Sequence, residues 1–391
     1  MSEHDVDASS LRLALFTDTF SPQVNGVSRT LDRLCEAVVA RGGEVRVYTV
    51  SDPDASPQAH VERYPSVPFW AYQQLRVAWP VSSRVRASLE KFHPTLIHAA
   101  TQFGLGLVGR RMSRTLRVPF VTSYHTSLAA YAGYYRLGAL AASGWKFLRW
   151  FHNSGLRTYC PTHAIMREIE SRGFRNTALW SRGVEGEKFS PSYRSTALRA
   201  LMSARDDTLV VTYVGRLAAE KGLDVVAQAV RRAAQVRPGK IAFACVGDGP
   251  YDEEIRRLAP ESSWFPGKLL GQKLSEAYAS GDVFLFPSTT DTFGNVMLEA
   301  MASGLPVIGA DVGPTRELLA NDRGWLVKAG DVEAFAAALV ALVDNPAMRL
   351  RAREKALEFA AESTWDRVWN LLISDYLEIQ RIGPVAELIR N

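Results

Sequence analysis

The sequence predicts an α/β protein built from two doubly wound parallel sheets. Three observations carry this. Short apolar runs alternate with segments of helical apolar spacing, the pattern of strand–helix–strand units. The alternation comes in two blocks, separated by a polar, Pro-bearing stretch at residues 191–207. At 391 residues, the chain also exceeds what one hydrophobic core usually organises.

In the first block, residues 11–17 (L-R-L-A-L-F-T) read as a strand. The loop after it carries Pro22 and Gly26 as punctuation. Val27, Leu31, Leu34 and Val38 recur at helical spacing, so 27–40 reads as a helix that Gly42 and Gly43 end. Residues 45–50 form the next strand, and strands at 95–99 and 120–123 are joined by a basic helix. Residues 157–160 and 178–181 complete the block.

In the second block, strands are expected at 209–214, 241–246, 283–287 and 305–309, with an edge strand at 324–327. Helices are expected at 222–236 and 251–258, then at 332–343, 348–361 and 365–380. In such sheets ligands bind beyond the carboxyl ends of the strands. The loops after Phe16, Val214, Val246 and Phe286 all lie there.

Composition narrows the class. Apolar residues make up 47% and charged residues 22%, ordinary for a globular chain. There is no charge-free apolar run of the roughly 18 residues a membrane span needs. The acidic, polar N-terminus does not read as a signal peptide. Cys35, Cys160 and Cys245 are far apart and sit in apolar patterns, which suits buried thiols in a reducing, cytoplasmic compartment. The His residues show no metal-ligand spacing, so no metal is expected. Net charge is +5, but no Asp or Glu occurs between Lys91 and Arg167. That stretch mixes Arg110, Arg111, Arg114, Lys146 and Arg149 with Tyr131, Tyr134, Tyr135, Trp145 and Trp150. It suits an anionic membrane surface or a phosphate-bearing acceptor; a solvated basic face over core aromatics is the competing reading. No nucleic-acid motif accompanies it, so nucleic acid is not expected as a partner.

The most informative segment is T-T-D-T-F-G-N-V-M-L-E, with Asp291 before an apolar helix and Glu299 about one turn inside it. Thr292 is placed to cap the helix, and Gly294 allows close approach of a ligand to the backbone. First-turn amides near Phe293 and Asn295 suit an anion or a ring of hydroxyls. One acid can hold one polyol and the other a second, as in a sugar joined to a ribose through a diphosphate. The alternative is an N-terminal acid plus a solvated helical Glu.

Other loops add weaker signals. G-R-L-A-A-E-K-G puts Arg216 and Lys221 at a strand's carboxyl end, where a guanidinium and an ammonium can bind phosphates. A surface Arg with a Glu220–Lys221 pair is the competing reading. Asn25-Gly26-Val27 precedes a helix whose amides suit a phosphate, or is an ordinary turn. Tyr124 and His125 follow a strand, where a His can touch a sugar hydroxyl or simply brace a loop. G-D-G-P (residues 247–250) either leans on a nucleotide or turns the chain.

Taken in order, Asn25-Gly26-Val27, S-Y-H-T, S-R-G-V-E-G-E-K-F-S-P, G-R-L-A-A-E-K-G, V-G-D-G-P, F-L-F-P-S and the acid-x7-acid segment resemble the retaining GT-B glycosyltransferases. The chain is most similar to bacterial GDP-mannose-dependent α-mannosyltransferases, and less so to glucosyl- and sulfoquinovosyl-transferases of glycolipid synthesis. The resemblance implies two Rossmann-like domains facing a cleft, with the last helix crossing back to the first. The domains would then be 1–190 with 365–391, and 191–364. It implies donor binding by Gly26, Arg216, Lys221, Lys268, Asp291, Phe293, Gly294, Asn295 and Glu299. Gly26 would offer its amide to the diphosphate, Lys268 would border the base, and Glu299 would hold the ribose. Catalytic roles fall to His125, Arg216, Lys221 and Asp291, and the acceptor side to Asn25, Tyr124 and His125. The family's first acid is usually Glu; Asp291 is one methylene shorter.

The implied activity is retaining, metal-independent and cofactor-free transfer of a hexose, mannose from GDP-mannose first, to a lipid-linked or glycoside hydroxyl. UDP-dependent glucosyl or sulfoquinovosyl transfer is the alternative. A nonenzymatic sugar-nucleotide-binding or membrane-docked protein is the reading of another class. The expected location is cytoplasmic, peripheral on the inner membrane face.

Overall fold

The computed structural model describes residues 5–23, 25–69, 72–78, 82–125 and 138–383. The chain divides into two compact units, Met1–Ser181 with Asp366–Asn391, and Arg182–Trp365. In the first unit the strands are β1 (Arg12–Phe16), β2 (Glu44–Val50), β3 (Val61–Tyr64), β4 (Ser66–Phe69), β5 (Tyr72–Ala78), β6 (Leu96–Ala99), β7 (Phe120–Ser123), β8 (Arg157–Cys160) and β9 (Thr177–Leu179). The helices are α1 (Gly26–Ala40), α2 (Ser82–Phe92), α3 (Gly104–Leu116), α4 (Gly138–His152) and α5 (His163–Glu170). Seven strands form one sheet in the order β3-β2-β1-β6-β7-β8-β9, every pair parallel. The antiparallel β4–β5 pair falls between the strands read from sequence at 45–50 and 95–99.

The second unit carries β10 (Leu209–Val214), β11 (Ile241–Val246), β12 (Trp264–Gly267), β13 (Val283–Phe286), β14 (Val307–Ala310) and β15 (Gly324–Val327). Its helices are α6 (Thr196–Leu201), α7 (Leu223–Val236), α8 (Asp252–Leu258), α9 (Gly271–Ala279), α10 (Asn295–Ala302), α11 (Gly313–Leu319), α12 (Val332–Asp344) and α13 (Pro346–Glu362). The sheet order is β12-β11-β10-β13-β14-β15, again parallel throughout. This is the doubly wound order, whose direction of winding reverses between β10 and β13. All six residues of β10 and all four of β13 are buried, because helices cover both faces of the sheet.

Residues 182–190 sit in the second unit, although from sequence they read as the end of the first domain. Backbone pairing explains this. Val184 N–H donates to Ser363 O at 2.9 Å, and Val184 bridges Thr364 in parallel. The last helix, α14 (Trp365–Ile382), returns to the first unit. Val368, Trp369, Leu372, Ile373, Tyr376 and Ile379 recur every three or four residues and are buried. Asp375 accepts from Arg157 Nη2 at 3.1 Å and from Tyr159 OH at 2.5 Å, which pins the helix to β8.

Candidate functional site

The second unit brings two of the expected residues together at its switch point. Arg216 and Lys221 lie in the loop after β10, and Asp291 lies in the loop after β13, the two strands that flank the reversal. Lys221 Nζ donates to both Asp291 oxygens, at 2.7 and 2.9 Å. Arg216 pairs with Glu220 one turn on. The structure therefore pairs Glu220 with Arg216 and Lys221 with Asp291, not Glu220 with Lys221. Both pairs are partly buried. The two cations and two carboxylates balance, and a bound anion would have to share the cations with them.

The Arg216 loop is braced from β11. Leu217 N–H donates to Asp248 O at 2.7 Å, and Tyr251 N–H donates to Leu217 O at 3.0 Å. A Cβ on Gly247 would fall on the Gly215 carbonyl oxygen, and one on Gly249 on the Leu217 carbonyl oxygen. Gly247 and Gly249 are needed because two loops pass backbone to backbone. The G-D-G-P turn thus fixes where Arg216 and Lys221 are presented.

The acid-x7-acid segment folds as strand, loop and helix, with one correction. Thr292 is not the helix cap: α10 starts at Asn295, with Gly294 at the cap position and no side-chain cap bond. Gly294 has φ +88°, and its Cβ would meet the Phe286 ring at 2.9 Å. A left-handed residue with no room for a side chain must be glycine. With no side-chain cap there, the first-turn amides of Asn295 and Val296 also lack a carbonyl one turn back. Phe293 is buried and anchors the turn in the core. Glu299 accepts from Tyr278 OH at 2.8 Å, so the two acids have separate partners, Lys221 and Tyr278. Lys268 is exposed just after β12.

The remaining expected residues lie in the first unit. Asn25 caps α1: its Oδ1 accepts from Ser28 N at 2.9 Å, and its Nδ2 donates to Thr19 Oγ1 at 2.9 Å. Gly26 opens that helix. Tyr124 is 1% exposed and packs with Leu148, Cys160, Ile165, Ile169 and Phe174, so its ring is core rather than a surface contact. His125 is 8% exposed, packs edge-on against Trp180 at 4.9 Å, and shares a 2.8 Å hydrogen bond with Ser123 Oγ.

At this unit's own switch point, between β1 and β6, the chain bonds to itself. Asp18 accepts from Thr101 Oγ1 at 2.8 Å and from Leu105 N at 3.1 Å, which caps α3. Burial pushes its carboxyl up to about 6, against the hydrogen bonds that hold it down. Asp18, His98 and Tyr278 were not singled out from sequence. The available signals were a polar residue inside the buried run L-I-H-A and an acid directly after a strand.

Part of the basic, aromatic stretch is visible. Arg110 stacks over Trp150 at 3.9 Å, and Arg172 over Trp145 at 4.0 Å. Trp150 is 47% exposed, whereas Phe151 is fully buried. Tyr131, Tyr134 and Tyr135 lie outside the described residues. Cys35, Cys160 and Cys245 are buried free thiols. Among the described residues no group of three or more His, Cys, Asp or Glu is placed to hold a metal, and no helix is long and apolar enough to cross a membrane.

Comparison with known proteins decides the family. The profile "Glycosyltransferase Family 4" matches residues 24–188, and "Glycosyl transferases group 1" matches residues 208–345. The chain is 33% identical to the GDP-mannose-dependent alpha-mannosyltransferase of Mycobacterium tuberculosis, over 94% of this chain and 95% of that protein. It belongs to the group 1 glycosyltransferases. This glycosyltransferase is also 32% identical to the sulfoquinovosyl transferase of Arabidopsis thaliana, over 97% of this chain and 78% of the relative. Among solved structures, the sucrose-phosphate synthase of Thermosynechococcus elongatus superposes with a TM-score of 0.77 at 19% identity, over 95% of this chain and 100% of that one. That likeness speaks for the GT-B fold.

Proposed function

We propose that this glycosyltransferase moves a hexose, mannose from GDP-mannose first among donors, to a hydroxyl of a lipid-linked or glycoside acceptor, with retention at the anomeric carbon. The observation that carries the reading is the Lys221–Asp291 contact across the switch point of the second unit, where doubly wound sheets bind nucleotides. In this reading Lys221 and Arg216 turn from their carboxylates to the diphosphate. They then neutralise the charge that grows on it as the sugar–oxygen bond breaks. Asp291, released from Lys221, holds the donor sugar with the amides of Phe293, Gly294 and Asn295. Glu299, oriented by Tyr278, takes the ribose, Gly26 offers an amide to the diphosphate, and Lys268 borders the base. A leaving phosphate oxygen accepts the acceptor's proton as the new bond forms on the same face. No metal or cofactor is part of this scheme. His125 faces the reacting sugar.

The donor is tested by thermal shift and slow donor hydrolysis with GDP-mannose, UDP-glucose, UDP-sulfoquinovose and ADP-glucose. A donor at a hundredfold excess over its Kd should stabilise the protein by about 2.7 kcal/mol. Response to GDP-mannose alone is the expected result. Response to a UDP-sugar alone would replace mannose with the glucosyl reading or with the sulfoquinovosyl reading, the second of which the Arabidopsis relative favours.

The lipid-linked acceptor draws on the first unit's surface. Lys146, Arg149 and Trp150 are exposed on α4, and Arg111, Arg114 and Arg117 at the end of α3. Cations beside an indole suit an anionic headgroup layer at the inner face of a membrane. Co-sedimentation with vesicles containing phosphatidylglycerol should exceed that with neutral vesicles, and Trp150→Ala with Arg149→Ala should weaken it. Equal binding to both vesicle types would overturn this part.

A further inference from the structure

Four side chains of the first unit form one unbroken row of hydrogen bonds. The Tyr376 hydroxyl on α14 meets His98 Nδ1 on β6 at 2.7 Å. His98 Nε2 meets Ser123 Oγ at 3.0 Å, and Ser123 Oγ meets His125 Nε2 at 2.8 Å. Tyr376 and His98 are fully buried and Ser123 is 1% exposed; His125, at 8%, is the outermost member.

The protons can be counted. Each hydroxyl has one proton to give, and a neutral imidazole has one N–H and one bare nitrogen. Burial drives His98 down to about 3, so it stays neutral. In one polarity Tyr376 donates to His98 Nδ1, His98 Nε2–H donates to Ser123, and Ser123 donates to His125 Nε2. Every proton then has an acceptor. In the reverse polarity Tyr376 accepts from His98, and its own proton needs another acceptor. Among the described residues His98 is the sole hydrogen-bond partner of that hydroxyl. A buried O–H without a partner is costly, which selects the first polarity.

We propose that Tyr376, His98 and Ser123 are positioning residues that hold His125 as the neutral tautomer protonated on Nδ1. His125 Nε2 is then occupied by the Ser123 proton. The ring's remaining donor is then Nδ1–H, and the ring does not serve as a base through Nε2. The row starts on α14, and the Tyr376 hydroxyl alone ties that helix to the state of His125. The consequence for transfer rests on the placement of His125 at the reacting sugar.

Two readouts on the full chain test this. Nitrogen-15 NMR of the imidazoles should show His98 protonated on Nε2 and His125 on Nδ1. In Tyr376→Phe, which removes one hydroxyl and keeps the ring, His125 should become a mixture of tautomers. Ser123→Ala should do the same. With the donor selected by thermal shift, kcat should fall on the order of tenfold in both, the worth of one net hydrogen bond. The KM for donor should stay within about twofold of wild type. Asp375→Asn serves as the control: it loosens α14 at Arg157 and Tyr159, should lower thermal stability, and should leave the His125 tautomer unchanged. A Tyr376→Phe protein with His125 wholly in the Nδ1–H form overturns the proposal. An equal tautomer shift in Asp375→Asn also overturns it, since the cause would be helix docking and not the hydroxyl. A shifted tautomer with unchanged kcat leaves the row standing and removes His125 from the reacting sugar.

Discussion

Lys221→Ala is expected to cut transfer by roughly 10²–10³, the usual loss when a group that stabilises developing charge is removed. Lys221 sits at the switch point and reaches both oxygens of Asp291. With a diphosphate present, the same ammonium supplies a charge-assisted contact that strengthens as the leaving group gains charge. Arg216→Ala should behave alike, because Arg216 lies on the same braced loop. Thermal stability should change little in Lys221→Ala, whose partner Asp291 stays open to solvent, and should fall in Arg216→Ala, which strands the nearly buried Glu220 carboxylate. The decisive control is binding of the nucleoside diphosphate alone, which carries no sugar for Asp291 to hold. If Lys221 binds phosphate, Lys221→Ala weakens that binding; if Lys221 only neutralises Asp291, the binding is unchanged. Wild-type single-turnover rates in both single variants would sink the clamp.

Asp282→Ala should be the most damaging single change to folding. Asp282 accepts from Arg194 at 2.8 Å, from Arg199 at 2.9 Å and from Val210 N at 2.8 Å. These contacts join the segment entering the second unit to the starts of β10 and β13. Arg199 is 9% exposed, so truncating its partner strands a buried guanidinium, at a cost of about 3–5 kcal/mol. Urea unfolding of the variant would measure it; a loss under about 1 kcal/mol would contradict the expectation. Asp282→Asn adds a pH signature. Burial pushes this carboxyl up, but the Val210 amide and the guanidinium groups of Arg194 and Arg199 outweigh it and leave the group below its ordinary value. A depressed acid adds stability above its unfolded pKa, near 4, and that stability is lost as pH falls through the folded value. The gap between wild type and Asp282→Asn should therefore be full at neutral pH and narrow below about pH 4.

The parallel sheets were legible because buried strands cannot hide their composition. V-F-L-F is a continuous apolar run and L-V-V-T-Y-V has one buried Thr among apolar residues, the near-continuous composition that both-faces-covered strands show. Shorter or half-exposed elements were missed for the same reason. β12 has no fully buried residue, and β3 has one, Tyr64, so neither carries a clear run. The start of α10 was misread because Thr292 has the right chemistry for a cap, while the position is decided by a left-handed backbone that only Gly294 adopts.

By itself, the sequence determined the two-block α/β architecture, the carboxyl-end location of Arg216, Lys221 and Asp291, and the family. All of these follow from local periodicity or from motifs short enough to read along the chain. Only the tertiary structure decided which charge meets which. Lys221 and Asp291 are 70 positions apart, and His98 and Tyr376 are 278 apart. Such contacts arise from strand order and helix docking, and spacing along the chain carries no trace of either. The role of G-D-G-P as a backbone brace, and the tyrosine–histidine–serine–histidine row, came into view only when the strands were placed side by side.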